Sequence, residues 1–443
     1  MRTAVFSSLL LIPAMLAGPP APAVNPRVKT IVDAVSEERI TATLRRLEAF
    51  GTRGSLSSVS DPEHGVGAAR RWIYEQFHAC GPRLQVRYDT WHVRKQGRVV
   101  RDTDFVNVVA VLPGTLHPDR QFLITAHYDS LALVWKRPED EGNIGAVDWE
   151  KTADAPIAPG VSDDGSGVAA VLELARIMSQ YEFANTIVFI AFAGEEQGLI
   201  GSTLYAEQAR KDGVKIDGVL NNDIIGTDVA GDGRRNNRAV NVYSGDPNDS
   251  PSRTVARYVK SAAERYFPAM RVNLVFRDDR FGRGGDHTPF DRAGYGAVRL
   301  TTATEDYSHQ HNPTDTFANA SPAYTALVAK VNAAALASLA LAPPAPLVSR
   351  ISRGKSGYDA VLRWTQPERA PDVAGYVVVM RATTAPDWEK AVLAGNVTEY
   401  TLPNASIDDV VFGVKAVDKD GDESLVAPWI MAAHPSEKIE TYH

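Results

Sequence analysis

The chain has 443 residues, 44% of them hydrophobic, and a formal net charge of −7 from 47 basic and 54 acidic side chains. A single core seldom grows beyond roughly 250–300 residues, so this length implies at least two domains. The mild acidic balance argues against a nucleic-acid or anionic-membrane surface.

Arg2, the apolar run Ala4 to Leu16 and the small residues and prolines of Ala17 to Ala23 read as a secretory signal over 1–23. The run is shorter than the about 20 apolar residues of a membrane span, and Gly18-Pro19-Pro20-Ala21-Pro22 would break a buried helix. No other stretch reads as a span, so the expected mature protein is soluble, exported and free of the membrane. The single cysteine, Cys80, allows no internal disulfide, which suits a bacterial periplasm or culture medium. In Phe77-His78-Ala79-Cys80-Gly81-Pro82 it reads as a buried apolar thiol at a helix end, not a nucleophile.

From Val24 to Gly81 the pattern is helical, with Ile31, Val32, Val35, Ile40, Leu44 and Leu47 at helical spacing and Trp72, Tyr74 and Phe77 on a further helix. Strands are then predicted at Val106 to Leu112, Phe122 to Ala126, Ile187 to Phe192, Val219-Leu220, Val240 to Tyr243 and Ala297 to Leu300. Helices are predicted at Val168 to Tyr181, Leu199 to Lys211, Pro251 to Phe267 and Ala323 to Leu341. Apolar strands alternating with helices imply an α/β domain over 24–342, its mostly parallel sheet covered by helices on both faces. A proline-rich linker follows at 343–347. Beyond it the period is two, with strands at Ala360 to Trp364, Gly375 to Arg381, Glu399 to Leu402 and Val411 to Val417. That describes a small all-β sandwich of about 100 residues over 348–433. Its Trp364, Gly375-Tyr376 and Val414-Lys415-Ala416-Val417-Asp418 resemble a fibronectin type III module, for which contact with a polymer or cell wall is one role.

Five segments carry chemistry, several of them just after predicted strands, where α/β sheets bind ligands. Ala126-His127-Tyr128-Asp129-Ser130 sets a histidine at a strand end, with an aspartate two residues on. Ser162-Asp163-Asp164-Gly165-Ser166-Gly167 precedes a helix, so one of its carboxylates is a candidate cap. Gly194-Glu195-Glu196-Gln197-Gly198 follows a wholly apolar strand, and paired buried carboxylates repel unless a cation sits there. Asn222-Asp223 and His309-Gln310-His311 complete the set. Each segment alone reads as a turn, a cap or a surface loop. Together they offer imidazole and carboxylate donors with no thiolate, a mixture that suits zinc, and five ligands, one of them bridging, can hold two ions about 3.5–4 Å apart.

With Ile200-Gly201-Ser202, Asp286-His287-Thr288-Pro289-Phe290 and His311-Asn312-Pro313-Thr314-Asp315-Thr316 added in order, the chain from Phe50 to Leu341 resembles the co-catalytic di-zinc aminopeptidases, a group related to glutamate carboxypeptidase and the transferrin receptor. The resemblance implies two zinc ions, one bound by His127 and Asp223, the other by Glu196 and His311, with Asp163 bridging. Asp129 would orient His127, and Glu195 would be the general base. Peptide or protein N-termini would be the substrate. Where several relatives have an oxyanion-holding tyrosine this chain has Gln310, with Tyr307 nearby. Leu131 to Pro159 is an insertion that would either overhang the cleft or be a disordered loop. His309 is the runner-up ligand, His287 reads as cleft wall, and the remaining histidines read as surface residues. Carboxypeptidase or dipeptidase action, glutaminyl cyclase chemistry with a single zinc and a non-catalytic receptor are the alternatives.

Overall fold

The computed structural model describes residues 24–349, 352–353, 359–366, 370 and 372–429. The expected signal segment, His434 and His443 lie outside them. Three helices, α1 (Pro26–Asp33), α2 (Glu37–Glu48) and α3 (Gly65–Ala79), precede an eight-stranded sheet. Its strands are β1 (Gln85–Val93), β2 (Thr103–Leu112), β3 (His117–His127), β4 (Asn185–Phe192), β5 (Lys215–Asn222), β6 (Ala239–Ser244), β7 (Arg271–Val275) and β8 (Ala297–Thr302). Between and after them lie α4 (Trp149–Ala153), α5 (Ser166–Met178), α6 (Ile200–Lys211), α7 (Pro251–Tyr266), α8 (His287–Arg292) and α9 (Pro322–Leu341). The helical run expected near the start is two helices, because the Ser36 side chain accepts from Arg39 N and starts α2 afresh.

The strand order is β1-β2-β4-β3-β5-β8-β6-β7. The centre, β4-β3-β5-β8, is parallel throughout, while β1–β2, β2–β4 and β6–β8 pair antiparallel, so the sheet is mixed. Strand β4 is buried along its whole length. Its Ile187, Phe189 and Ala191 join the large core with α2, α3, α5, α7 and α9, and its Val188, Ile190 and Phe192 join a smaller core with α6 and α8. That period-two division is what a strand covered on both faces requires. Helix α9 has the length and composition of a membrane span, but it is almost entirely buried against α1, α2, α5 and α7 and serves as the central core helix.

Beyond α9, Pro343, Pro344 and Pro346 are buried, and the amide of Asn185 donates to the carbonyls of Leu339, Ala340 and Ala342. Two four-stranded antiparallel sheets follow: β9 (Leu347–Val348), β10 (Ser352–Arg353), β11 (Ala360–Thr365) and β14 (Glu399–Leu402) in one, and β12 (Val373–Ala382), β13 (Lys390–Gly395), β15 (Val410–Asp418) and β16 (Ala427–Pro428) in the other. They share a core built on Trp364, Tyr376, Val378, Phe412 and Val414. Polar contacts dock them on α7: Arg265 pairs with Glu423 at 2.6 Å, Lys260 with Asp387 at 2.9 Å, and Tyr258 Oη donates to Glu423 O at 2.9 Å.

The first turn of α5 packs closely on the end of β5. A Cβ on Gly167 would stand 2.4 Å from Asp164 Oδ2 and 2.6 Å from the carbonyl of Asn222. Gly167→Ala is therefore expected to lose about 1–3 kcal/mol of stability, as overpacked sites do, in chemical denaturation of the full chain.

Candidate metal centre

The parallel strands bring their C-terminal ends to one side of the sheet. His127 is the last residue of β3, Asp223 directly follows β5, and Glu195 and Glu196 lie in the turn after β4. Asp163 comes from the loop entering α5, and His311 from the long connection after β8. The side chains meet in three groups, one of them His127 with Glu195 and Glu196, and the other two share the Asp163 carboxylate. His127, Asp163 and Asp223 each offer an atom within 4.8 Å of the others, and so do Asp163, Glu196 and His311. Asp163 Oδ1 is 3.2 Å from His127 Nε2, and its Oδ2 is 3.1 Å from His311 Nε2. His311 Nε2 is 3.2 Å from Glu196 Oε2, and His127 Nε2 is 3.9 Å from Asp223 Oδ1.

The supports are buried and local. Asp129 Oδ1 lies 3.5 Å from His127 Nδ1, which also meets the Asp129 carbonyl at 3.1 Å. The same carboxylate accepts from Glu195 N at 3.3 Å, Glu196 N at 3.2 Å and Ser55 Oγ at 2.9 Å, tying the β3 end to the turn after β4. The two adjacent aspartates divide their labour. Asp163 faces both histidines, whereas Asp164 caps α5 through Gly167 N at 2.9 Å and also accepts from His127 N and Ile224 N. Asp315 takes the backbone N–H groups of Ser162 and Asp163 at 2.8 and 2.9 Å, and burial pushes its carboxyl up to about 7. Arg53, fully buried, donates to the carbonyls of Leu47, Tyr128, Pro159 and Gly160.

The electrostatics call for cations. Burial lowers the proton affinity of His127, yet the facing Asp129 and Asp163 more than reverse it, and His127 stands well above the ordinary imidazole value. His311 is raised in the same way, burial being outweighed by Glu196 and Asp163. Burial raises Glu195 well above the usual carboxylate range, and Glu196, Asp223 and Asp286 add to the rise while His127 opposes it. The buried His127 Nε2 and Glu196 Oε1 make no hydrogen bond, nor does either oxygen of Asp286. Imidazole and carboxylate atoms left without partners at this spacing fit zinc ions.

Other expected residues lie elsewhere. His309 is half-buried and meets Thr314 Oγ1 at 2.7 Å. His287 is buried and bonds the carbonyl of Asp278 at 2.7 Å. His117, read as a surface residue, is buried at the start of β3. The Gln310 amide donates to Glu305 Oε1 at 2.6 Å, and Tyr307 is exposed. Burial pushes the Cys80 thiol up to about 11, leaving no thiolate for nucleophilic work.

The insertion is an ordered brace. Leu133 N donates to the carbonyl of His311 at 2.8 Å. Trp149 lies under Arg98, whose Nη1 donates to the carbonyl of Glu196 at 3.0 Å. The roles of Arg53, Arg98 and Arg299 escaped the sequence reading, which held Asp315 only as part of the motif around His311. The visible signal for Arg299 was a charge inside the apolar run Ala297-Val298-Arg299-Leu300.

Because Asp129 holds both His127 and the glutamate turn, Asp129→Ala is expected to weaken zinc binding by about 10–100-fold, the usual size of such orienting contacts. Competition with a chelator of known affinity measures it.

The profile of peptidase family M28 matches residues 107–336. The chain is 36% identical to a probable zinc metalloprotease of Phaeosphaeria nodorum, over 89% of this chain and 86% of that one. Its fold is similar to that of LapB from Legionella pneumophila, with a TM-score of 0.54 at 20% identity over 73% of this chain and 77% of the other. It is also similar to the LapA aminopeptidase of the same organism, with a TM-score of 0.52 at 17% identity over 73% and 78%. With half the chain inside the family profile and imidazole and carboxylate donors gathered at one end of its sheet, this protein belongs to peptidase family M28 and is a zinc metallopeptidase.

Proposed function

We propose that this metallopeptidase is an aminopeptidase that uses two zinc ions, one held by His127 and Asp223, the other by Glu196 and His311, with Asp163 bridging. The observation that carries the reading is the division of the Asp163 carboxylate, one oxygen toward each histidine. Zinc ions bound there would polarise the scissile carbonyl and lower the pKa of the attacking water. Glu195 would take a proton from that water and pass it to the leaving amine, and its raised proton affinity suits it to do so. Its backbone is held by Asp129 while its side chain stays free of hydrogen-bond partners among the described residues.

A free α-ammonium is the substrate feature that best fits a cleft so rich in carboxylate, Asp286 included. The buried Arg280 and Arg299 are already engaged by Asp279, Glu305 and Asp223, which disfavours them as anchors for a substrate C-terminus. The likeness to LapA, an aminopeptidase, points the same way. Export is our reading of the first 23 residues and the single cysteine. A separate fibronectin type III-like module beyond the proline-rich stretch, able to touch a polymer or cell wall, completes the proposal.

Hydrolysis of aminoacyl-nitroanilides, each free and N-acetylated, tests the activity. Only free-amine substrates should be cut, and a chelator should abolish cutting. Glu195→Gln should lower kcat by about 10²–10⁴-fold, the usual share of a general base, with its zinc content unchanged. Cleavage of N-acetylated substrates would sink the aminopeptidase reading.

A further inference from the structure

A buried ion network stands behind Asp223. Arg299, in β8, has no exposed surface and divides its guanidinium between two carboxylates. Nη1 is 2.7 Å from Asp279 Oδ1, and Nη2 is 3.1 Å from Asp223 Oδ1. Asp279 Oδ1 also meets Arg280 Nε at 3.1 Å, and Arg280 Nη1 continues to Glu305 Oε1 at 3.0 Å. Glu305 accepts from Gln310, the residue before His311. The Asp223 oxygen that Arg299 holds is the one that also faces His127 Nε2. The other, Oδ2, faces the backbone of Gly285, where a Cβ would stand 3.2 Å away.

The remaining ligand carboxylates are placed differently. Asp163 pairs with His127 and His311, and Glu196 with His311. Among the described residues neither forms an ion pair with an arginine: Arg98 meets only the carbonyl of Glu196 and Arg53 bonds backbone carbonyls, so of these three ligand carboxylates Asp223 alone is paired directly with a guanidinium.

We propose that Arg299 is a positioning residue that competes with the cation for Oδ1 of Asp223, so that the His127–Asp223 position binds zinc more weakly than the Glu196–His311 position. The inference rests on the two-metal reading above. Nη2 donates to the Asp223 backbone carbonyl at 3.4 Å, and its charge lies 3.1 Å from Oδ1, where an ion pair lowers the oxygen's pull on a cation and a guanidinium so near that cation repels it. Arginine stays protonated at all working pH, so the competition is not relieved by titration. Asp279 and Glu305 keep Arg299 and Arg280 in place as buried counter-ions. The same contacts tie Asp223 to the connection that carries His311.

Calorimetric titration of the chelator-stripped full chain with zinc alone tests this. Two classes of site are expected, separated by at least about tenfold in Kd. Asp223→Asn should remove the weaker class and Glu196→Gln the tighter. Arg299→Met combined with Asp279→Asn removes the guanidinium together with one counter-ion. It should tighten the weaker class by about tenfold and leave the other within about twofold. Two equal sites, a weaker class that vanishes with Glu196→Gln, or no tightening in the folded double variant would overturn the proposal. If the double variant does not fold, the order of the two positions in the unaltered chain decides alone. Uptake of fewer than two zinc ions overturns the two-metal reading itself, and this proposal with it.

Discussion

Like charge gathered out of water is the constraint on which the rest of this molecule turns. Asp129, Asp163, Asp164, Glu196, Asp223 and Asp286 are all buried near the ends of three adjacent parallel strands, with Glu195 beside them. Isolated carboxylates in such a setting would take up protons or force the structure open. Part of the charge is balanced by backbone N–H groups, which Asp129, Asp164 and Asp315 collect from the turns around them. Part falls to Arg53 and Arg299, both wholly buried. What remains faces two histidines across a gap with unpartnered donor atoms, and that residue of uncompensated charge makes the place suitable for zinc.

The sheet makes this concentration possible. Parallel pairing of β4, β3, β5 and β8 sends four chain turns to one edge, and the buried α5 and α9 hold those strands from behind. The close approach of α5 to β5, with no room for a side chain at Gly167, fixes the Asp163 loop against Asp223. Rigidity here has a chemical purpose, since ligand atoms displaced by even an ångström would no longer converge.

Much of this was legible in the sequence because the signals are local. The strands that line the site are unbroken apolar runs, and each ligand stands within a few residues of a strand end or helix start. In the eight-stranded sheet the strands that escaped notice, β1 and β7, are the two edges, and in the C-terminal sheets β13 and three two-residue strands were missed. β1 alternates exposed polar residues with only partial burial, a weak pattern outside its pairing with β2, and β7 is five residues long. The connections that escaped notice are long-range. Arg53 reaches carbonyls more than a hundred residues away, and the meaning of Arg299 depends on Asp223 and Asp279 from two other segments. Short spacing rules carry no record of such meetings. The two readings of the insertion could not be separated before Leu133 was seen against the carbonyl of His311.

The brace formed by residues 131–159 bonds the backbone of His311 and lies under Arg98, which bonds that of Glu196, while the ligand Asp223 leans on an arginine of the sheet itself. The two halves of the centre thus have different outer supports, although Asp129, Asp163 and the Arg299 network join them. Drift in a surface insertion would reach the His311 side first, whereas the support of Asp223 can change only together with the core. A lineage that shortened the brace would be expected to loosen the backbone of His311 before any contact of Asp223 with the sheet is touched.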